Sequence, residues 1–357
     1  MSARAQLFVF ESYKLYPEAK RVTLKYSVDQ KYHFSEEWVF DFDWSETIHT
    51  EALDRALFNL HILAGVSYYK AHLASRIEVH SGPLDQSMVE YFKSIYQGGL
   101  GQFFYTNKLD PNIGIPFQVS SDQAIEPVTI EGLHGALVPI GGGKDSIVTA
   151  ELLKQHNEDF SSWVINHSER LRDMLDTFDA PHLPVRRKVD PLISELNQQG
   201  VYNGHVPITA IVTAAAVVSA ILSGKKSVVL SNEASSSEGN VEYRGTMINH
   251  QFSKSYEVEK MTKAYIKEHI SPDIEYFSLL RPMTELAIAE RFAKVFDTYK
   301  HYFSSCNENF HLTDTGKLYW CGHCPKCAFV FLMFTPFVPK EKLLDLFGGE
   351  FVAFFQP

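Results

Sequence analysis

The alternation of apolar and polar residues predicts strands and then a helix near the N-terminus. Three stretches rich in aromatic and β-branched residues are separated by polar turns, at residues 8–16, 21–28 and 38–42. Such stretches are typical of an antiparallel sheet. Residues 46–64 carry apolar side chains at helical spacing and predict a helix. We therefore expect residues 1–128 to form an N-terminal α+β domain that ends in a polar connector.

From residue 129 onward, apolar runs of strand length alternate with helical patterns. Runs at residues 136–138, 163–166 and 227–230 predict buried strands, and the apolar segment 208–222 predicts a buried helix. Strands that alternate with helices form a parallel sheet with helices on both faces, and such sheets bind ligands at the carboxyl ends of their strands. We expect residues 129–357 to form this α/β domain.

A glycine-rich loop joins the first of these strands to the helix after it. Residues 139–146 are Pro-Ile-Gly-Gly-Gly-Lys-Asp-Ser. Glycines let the backbone approach a ligand closely, and the free N–H groups of the first helical turn attract a phosphate. A Walker loop is excluded, since Val138 and Asp145 stand where it needs a glycine and a hydroxyl residue. A dinucleotide-binding loop is excluded because Ser146 replaces its last glycine.

The loop resembles the Ser-Gly-Gly-x-Asp-Ser motif of the ATP pyrophosphatase (PP-loop) enzymes, with Gly141 in place of the first serine. Those enzymes hold pyrophosphate and transfer AMP to an oxygen of their substrate. The resemblance implies an adenine nucleotide α-hydrolase-like fold for the second domain. Gly141 lacks one hydroxyl donor, but the backbone donors remain. An ordinary glycine-rich turn is the simpler alternative, although Asp145 and Ser146 are suited to a metal ion and a phosphate oxygen.

Polar residues follow the later strands as well. Asn166 comes at the end of the second run, and Glu233 lies in the polar segment after residues 227–230. Residues 249–255, Asn-His-Gln-Phe-Ser-Lys-Ser, add another dense set of hydrogen-bonding groups. A solvated linker is the alternative, but two polar clusters close together after a core strand favour a binding site.

Two patches in the N-terminal part combine aromatic and polar residues. They are residues 65–70, Gly-Val-Ser-Tyr-Tyr-Lys, and residues 100–107, Leu-Gly-Gln-Phe-Phe-Tyr-Thr-Asn. Core packing is the expected role of the aromatic rings. Lys70 and Asn107 are harder to explain as core residues, so we consider them as substrate contacts.

Composition and charge narrow the class of protein. A chain of 357 residues is long enough for two domains, and 45% hydrophobic and 21% charged residues are ordinary for a globular protein. The net charge of −10 argues against a nucleic acid as the main partner. No basic and apolar leader opens the chain, and residues 208–222 are too short and too polar for a membrane span. We expect a cytoplasmic enzyme with no membrane partner.

Four cysteines lie close together near the C-terminus, three of them in the segment Cys-Gly-His-Cys-Pro-Lys-Cys. They are Cys306, Cys321, Cys324 and Cys327. Four thiolates with short Cys-x-x-Cys spacings match a structural zinc site, in which protein ligands fill all four positions. An iron–sulfur cluster and a catalytic persulfide are the alternatives. Disulfides are a poor explanation in a chain without an export signal.

Several motifs together resemble one family over most of the chain. Besides the loop and the cysteines, they are residues 65–70, 204–209 (Gly-His-Val-Pro-Ile-Thr), 231–233 (Ser-Asn-Glu) and 249–255. This set is similar to the UDP-N-acetyl-α-D-muramoyl-L-alanyl-L-glutamate epimerases. The resemblance implies an isomerase that converts the terminal L-glutamate of UDP-N-acetylmuramoyl-L-alanyl-L-glutamate to D-glutamate in peptidoglycan precursor synthesis. It would use ATP and Mg²⁺, pass through an acyl-adenylate, and release AMP and pyrophosphate.

The resemblance also implies a nucleotide site. Its residues would be Gly141, Gly142, Gly143, Lys144, Asp145, Ser146, Asn166 and Glu233. The glycines and Ser146 would hold the phosphates, and Lys144 would offset negative charge. Asp145 would help to bind Mg²⁺, together with Glu233.

Inversion of a carbon centre calls for a base on one face and an acid on the other, or one residue that serves as both. The candidates are His205, His250 and Lys254. The alternative is a structural role, which is the more common one for a lone histidine. The N-terminal domain would recognise the muramyl or UDP part of the substrate through Tyr68, Tyr69 and Lys70.

Three other classes of protein share some of these features. The four-cysteine arrangement also resembles 7-cyano-7-deazaguanine synthase, which adenylates a carboxylate and adds ammonia. A tRNA-thiolating PP-loop enzyme would need bound RNA and a reactive cysteine, and the acidic net charge counts against it. A nucleotide-binding module would bind ATP without turnover.

Overall fold

A computed structural model describes residues 4–123, 125–309 and 318–348 of the chain. The chain divides into two compact units, each made from three segments. The first unit comprises Met1–His134, Val185–Val228 and Ser236–Phe277, and the second comprises Gly135–Pro184, Val229–Ser235 and Ser278–Pro357. The expected domain boundary after residue 128 stays a prediction.

The described residues form strands throughout the first three quarters of the chain. In chain order they are β1 Leu7–Tyr16, β2 Arg21–Val28, β3 Tyr32–Phe40, β4 Arg76–Val79, β5 His134–Pro139, β6 Phe160–Ile165, β7 His182–Lys188, β8 Lys225–Leu230, β9 Val241–Tyr243, β10 Thr246–Ile248 and β11 Glu275–Ser278.

Helices occur in every part of the described chain. They are α1 Thr50–Ala64, α2 Val66–His72, α3 Gln86–Gly99, α4 Gly101–Thr106, α5 Lys144–Gln155, α6 Ser168–Asp176, α7 Leu192–Gln198, α8 Ile208–Ser223, α9 Tyr256–Tyr265, α10 Glu285–Ala293, α11 Phe296–Tyr299, α12 Pro325–Phe334 and α13 Lys340–Phe347. Over residues 4–123, 125–309 and 318–348, none of these helices has the length and apolar character needed to cross a membrane.

The N-terminal strands of the first unit form the antiparallel sheet that the apolar pattern predicts. β1 pairs with β2, and β2 pairs with β3, where Val22 lies opposite Trp38. β4 pairs with β1 in parallel, and the last four residues of β7 pair with β3 antiparallel, with Arg187 opposite Trp38. The pattern did not reveal β4 or β7, because β4 is short and β7 carries three basic residues.

A buried ion pair explains why the third strand begins earlier than predicted. The strand starts at Tyr32 rather than at Trp38, and its central Glu36 interrupts the apolar pattern. The Glu36 side chain is 0% exposed and accepts hydrogen bonds from Arg187 Nε at 2.8 Å and Arg187 Nη2 at 3.0 Å. Tyr68 Oη and Trp38 Nε1 donate to the same carboxylate at 2.9 and 2.7 Å. A charge can be buried in a strand when it is paired and hydrogen-bonded in this way.

Two apolar helices build much of the core of the first unit. α1 and α8 pack against each other, and almost every residue of α8 is buried. This confirms the predicted buried helix, which ends before Gly224. α1 begins at Thr50 and not at residue 46, because the imidazole of His49 caps it by accepting a hydrogen bond from Ala52 N.

The second unit has the predicted succession of strands and helices. β5 and β6 run parallel, with Ala136 opposite Phe160, and α5 and α6 follow them directly. β5 and β6 are hydrogen-bonded neighbours. α10 packs against α5 and against α12. The chain therefore has a mixed α/β fold, and its assignment to the PP-loop enzymes stays a prediction.

Candidate nucleotide, histidine and cysteine sites

The glycine-rich loop joins β5 to α5 in the second unit. α5 begins at Lys144, and Gly143 is its N-cap. Gly142 is buried and has a φ of 87°, in the left-handed region that favours glycine. Ser146 Oγ donates to the Gly143 carbonyl at 3.1 Å. A strand, a tight turn and a helix start follow one another here, and this geometry is suited to an anion because the first helical N–H groups lack helical partners.

Gly141 lies at the exposed position where the PP-loop motif has a serine. A Cβ atom added at Gly141 would meet nothing within 4 Å. The departure from the motif therefore does not result from crowding, and the loop has room for a serine.

Lys144 lies at the centre of a cluster of charged side chains. Its buried Nζ donates to Asp145 Oδ1 at 2.6 Å and to Glu285 Oε2 at 2.5 Å. Burial lowers the pKa of Lys144, but the two carboxylates outweigh that effect and raise it above its usual value. The loop thus brings together one cation and two carboxylates beside the N-terminus of α5.

Asn166 and Glu233 follow strands of the second unit, as the sequence predicts. Asn166 is exposed, comes directly after β6, and has a φ of 61°. Glu233 follows β8 and is buried, and its carboxylate accepts a hydrogen bond from Ser235 N. Arg281 Nη1 donates to the Glu233 carbonyl at 2.7 Å and so helps to hold this loop. The structure does not by itself assign a nucleotide contact to either residue.

The four cysteines of the second unit converge. Their sulfur atoms all lie within 4.8 Å of one another. The Sγ–Sγ distances are 3.8 Å for Cys306 and Cys324, 3.7 Å for Cys321 and Cys327, and 3.5 Å for Cys324 and Cys327. Four sulfurs around one zinc ion at about 2.3 Å would be about 3.8 Å apart in a tetrahedron. The cluster therefore has the dimensions of a single-ion thiolate site.

Local structure explains how two of these cysteines, Cys324 and Cys327, come together. Cys324 is the N-cap of α12, and its Sγ accepts a hydrogen bond from Cys327 N at 3.4 Å. Pro325 occupies the first helical turn, where no backbone N–H is required. Cys-Pro-Lys-Cys thus forms a helix start that aims two sulfurs at one point. The Nδ1 atom of His323 lies 2.8 Å from the Cys321 carbonyl oxygen, and His323 is not part of the sulfur cluster.

A hydrogen-bonded segment connects the cysteine cluster to the glycine-rich loop. Ser304 N donates to the Gly142 carbonyl at 2.9 Å. Ser304 Oγ donates to the Tyr319 carbonyl at 2.8 Å and accepts from Cys306 N at 3.1 Å. Asn309 Nδ2 donates to the same hydroxyl at 2.8 Å. The residues that flank the cysteines therefore hold the backbone of Gly142.

The three acid–base candidates, His205, His250 and Lys254, lie near one another in the first unit. Burial, with the charges of His250 and Lys254, lowers the pKa of His205 below its usual value. The exposed His250 is oriented by Asn240, whose Oδ1 lies 3.0 Å from His250 Nδ1. The structure therefore brings together residues from two segments that are about 45 positions apart in sequence.

The end of α3 sets the distance between these two segments. A Cβ atom added at Gly98 would lie 2.3 Å from the ring of Phe252, and one added at Gly99 would lie 2.5 Å from Pro207 Cβ. Phe252 is two residues before Lys254, and Pro207 is two residues after His205. Only glycine allows both segments to approach α3 so closely.

The patch of residues 65–70 divides into core residues and one polar residue. Tyr68 and Tyr69 are fully buried, which agrees with packing rather than with the expected substrate contact. The hydroxyl of Tyr69 donates to the Ala74 carbonyl at 3.3 Å. Lys70 is also buried, but its Nζ reaches Asn203 Oδ1 at 2.7 Å. Asn107 Nδ2 donates to the Asn203 carbonyl at 2.9 Å. Lys70 and Asn107, one from each patch, therefore contact the same asparagine.

The sequence did not predict that Glu285 and Asn203 contact two buried lysines. Glu285 stands at the first position of α10 after its N-cap Thr284, a sign of a helix start. Nothing in that pattern indicates that its carboxylate reaches Lys144. Asn203 stands beside the recognised Gly-His-Val-Pro-Ile-Thr motif, and proximity to that motif was the available signal.

Comparisons with known proteins agree with the resemblance of the motifs. The family model of the MurL N-terminal domain matches residues 1–279, and that of the MurL C-terminal domain matches residues 302–355. Three curated proteins named UDP-N-acetyl-α-D-muramoyl-L-alanyl-L-glutamate epimerase are similar to this chain. The protein from Xanthomonas oryzae pv. oryzae (strain MAFF 311018) is 42% identical over 299 residues, which are 83% of this chain and 66% of that protein.

The other two relatives come from Salinispora tropica and Micromonospora sp. Each is 38% identical, over 302 and 304 residues, which are 84% of this chain and 65% and 67% of those proteins. The chain spans about two thirds of the length of these relatives. Its N-terminal family match alone covers well over half of the residues. On this evidence, the chain belongs to the MurL family.

Proposed function

We propose that this chain is an ATP- and Mg²⁺-dependent epimerase. It converts the terminal L-glutamate of UDP-N-acetylmuramoyl-L-alanyl-L-glutamate to D-glutamate, for peptidoglycan precursor synthesis. The observation that carries the proposal is the similarity of most of the chain to three proteins named for that epimerase. The glycine-rich loop at the start of α5 supports the use of ATP.

The need for ATP follows from the acidity of the substrate. The α-proton of a glutamate carboxylate is very hard to remove, because a second negative charge would form beside the first. Transfer of AMP to the α-carboxylate, with release of pyrophosphate, removes the first charge. A side-chain base can then take the α-proton. Reprotonation from the other face inverts the carbon, and hydrolysis of the acyl-adenylate releases AMP and the D-glutamate product.

Residues of the second unit are suited to hold ATP and Mg²⁺. The N–H groups at the start of α5 would bind phosphate oxygens, with the hydroxyl of Ser146 beside them. Mg²⁺ prefers carboxylate oxygens, and those of Asp145 and Glu285 already lie together on Lys144. Glu233 is a further candidate ligand. Lys144 would then offset the charge of the phosphates.

The first unit supplies the acid–base candidates. Because the pKa of His205 is lowered, its imidazole is neutral near pH 7 and can accept a proton. The cationic side chain of Lys254 is suited to donate one. His250 is the alternative to either residue, and its orientation by Asn240 would fix the ring nitrogen that faces the substrate.

The four cysteines would hold a structural zinc ion. Four protein ligands leave no open position for a substrate, which fits a structural role and not a catalytic one. The short distances between the sulfurs favour one ion over a cluster of several iron atoms.

The proposal is tested by incubation of the purified protein with ATP, Mg²⁺ and UDP-N-acetylmuramoyl-L-alanyl-L-glutamate in D₂O. Mass spectrometry follows deuterium at the glutamate α-carbon, together with AMP release and chiral analysis of the glutamate. We expect deuterium uptake and D-glutamate only when ATP is present. Asp145→Asn should lower the rate by at least about tenfold, since even residues outside the direct ligands of a metal ion typically change activity by about 10- to 100-fold. The matched control is Glu158→Gln, an exposed carboxyl residue of the same unit.

Each other outcome contradicts a definite part of the proposal. AMP release without deuterium uptake would leave an adenylating enzyme and exclude the epimerase. Deuterium uptake without ATP would exclude the adenylate. Absence of both signals would refute the function as a whole.

A further inference from the structure

Lys70 is a buried cation that no carboxylate in the described part of the chain neutralises. The residue, on α2, is only 5% exposed. Its Nζ forms one hydrogen bond, to the amide oxygen of Asn203 at 2.7 Å, and within the described residues it takes part in no ion pair. An ammonium group has three N–H donors, so two remain for another acceptor.

Two other buried cations, Lys144 and Arg187, have carboxylate partners. Lys144 contacts two carboxylates, and Arg187 contacts the carboxylate of Glu36. Burial of a charge is strongly unfavourable unless a partner compensates it. Without such a partner, burial lowers the pKa of Lys70 to about 8. The fold therefore keeps an ammonium group here at the expense of stability, which is typical of a binding site.

Several hydrogen bonds hold residues 202–204 beside Lys70. Asn203 is held by Asn107, whose Nδ2 donates to the Asn203 carbonyl at 2.9 Å, and Gly204 N donates to Asn203 Oδ1 at 2.8 Å. Tyr202 N donates to the Ala71 carbonyl at 3.2 Å, which ties this segment to α2. Asn203 and Gly204 are exposed, so the asparagine that contacts the Lys70 ammonium group lies at the surface.

We propose that Lys70 binds an oxyanion of the substrate, with Asn203 as the residue that positions its ammonium group. Asn203 lies two residues before His205, so the anion would be held next to the candidate base. The inference rests on the proposed function for the identity of the substrate. That substrate carries two kinds of oxyanion, the carboxylates of its glutamate and the diphosphate of its UDP group, and a carboxylate or a phosphate oxygen would complete the same charge-assisted hydrogen bonds.

The test compares affinity with stability in two variants. Lys70→Met removes the charge, and Asn203→Asp supplies a carboxylate from the protein itself. We expect both variants to bind UDP-N-acetylmuramoyl-L-alanyl-L-glutamate about tenfold more weakly or worse by calorimetry. We also expect both to have a melting temperature equal to or higher than that of the unaltered chain, because Lys70→Met removes the unpaired buried charge and Asn203→Asp pairs it. Lys93→Met, at an exposed lysine of the same unit, is the control and should change neither quantity.

The probes UDP and L-alanyl-L-glutamate distinguish the two sources of the anion. The probe whose affinity falls in Lys70→Met carries the group that Lys70 binds. Unchanged affinity for the substrate and for both probes would overturn the proposal, and so would a lower melting temperature in both variants, since that indicates a structural lysine. Calorimetry needs no turnover. A chain that binds the substrate through Lys70 but gives no deuterium exchange would refute the epimerase and leave the anion site intact.

Discussion

The imidazole of His61 illustrates how burial determines chemistry at a single residue. It is 0% exposed in the core of the first unit. Its Nε2 lies 3.1 Å from the Lys25 carbonyl, which can only accept, so Nε2 carries the proton and Nδ1 accepts from Ser81 Oγ at 3.1 Å. Burial lowers the pKa of His61 to about 4, although the Lys25 carbonyl opposes this effect.

The lowered pKa predicts a loss of stability in acid. Above about pH 6.5 the imidazole is neutral in both the folded and the unfolded chain, and the stability is unaffected. As the pH falls from 6.5 to 4, the unfolded chain takes up a proton that the folded chain does not, and the free energy of unfolding falls by up to about 3 kcal/mol. Urea unfolding at several pH values gives the free energy of unfolding of the unaltered chain and of His61→Gln. The contribution of His61 is the change with pH in the difference between the two proteins. A difference that stays constant between pH 6.5 and pH 4 would contradict the prediction.

Gly141 allows a second prediction at this scale. Since a side chain there meets nothing within 4 Å, Gly141→Ser should fold with a change in stability below about 0.5 kcal/mol. If the loop binds phosphate, the added hydroxyl should raise the affinity for ATP about fivefold, the value of one hydrogen bond. Gly142→Ser is the matched control, because the φ of 87° at Gly142 should cost it about 1 kcal/mol of stability. Titration calorimetry measures the affinity for ATP, and thermal unfolding measures the stability of the two variants. Weaker ATP binding by Gly141→Ser would contradict the prediction.

Among the elements, the loop before α5 and the cysteine cluster depend on each other. Ser304 contacts the Gly142 carbonyl through its N–H and the Tyr319 carbonyl through its hydroxyl. Cys306 is two residues further along and belongs to the cluster. A metal ion bound by the cysteines would therefore stabilise the segment that holds the glycine-rich loop.

This coupling predicts that loss of the metal weakens nucleotide binding. Cys327→Ser should lower the metal content and the affinity for ATP, the latter by about tenfold, a typical effect of residues outside the immediate contacts of a site. His323→Ala is the control, since His323 lies among the cysteines without belonging to the sulfur cluster. Elemental analysis and calorimetry provide the two readouts. Full ATP affinity in a metal-free Cys327→Ser protein would show that the two elements are independent.

The acid–base candidates depend on a different pair of elements. The segments that carry His205 and Lys254 both contact the end of α3, at Gly99 and Gly98. Because both segments pack on the same helix, that helix fixes the separation of His205 and Lys254. The glycines of α3 are therefore positioning residues in the first unit.

For the whole molecule, the first compact unit combines three separate segments of the chain. The first unit contains residues 185–228 and 236–277 in addition to the N-terminal segment. The last part of β7 pairs with β3, and Arg187 neutralises the buried Glu36. An N-terminal fragment would lose these contacts and also α8, which packs on α1.

We therefore predict that residues 1–128 do not fold when produced alone. The unpaired Glu36 would cost about 3 to 5 kcal/mol, a large part of the stability of a domain of this size. Circular dichroism and urea unfolding should show no cooperative transition for the fragment under conditions where the full chain has one. A cooperative transition in the fragment would support an independent domain and contradict the arrangement described above.

The sequence by itself determined the features that depend on neighbouring residues. The strand, loop and helix around residues 136–155 and the buried helix α8 follow from local periodicity and turn chemistry. The motifs also identified the family correctly. These features could be predicted because a repeat of two or 3.6 residues, or a glycine at a tight turn, constrains the backbone within a few residues.

Only the tertiary structure decided which distant side chains meet. Lys144 and Glu285 are 141 residues apart, Glu36 and Arg187 are 151 apart, and Lys70 and Asn203 are 133 apart. Periodicity carries no information about such pairs, because it reports the face of an element and not the partner of that face. Whether a buried charge has a counter-ion depends on that partner. The contrast between the paired Lys144 and the unneutralised Lys70, on which the anion site depends, therefore had to come from the folded chain.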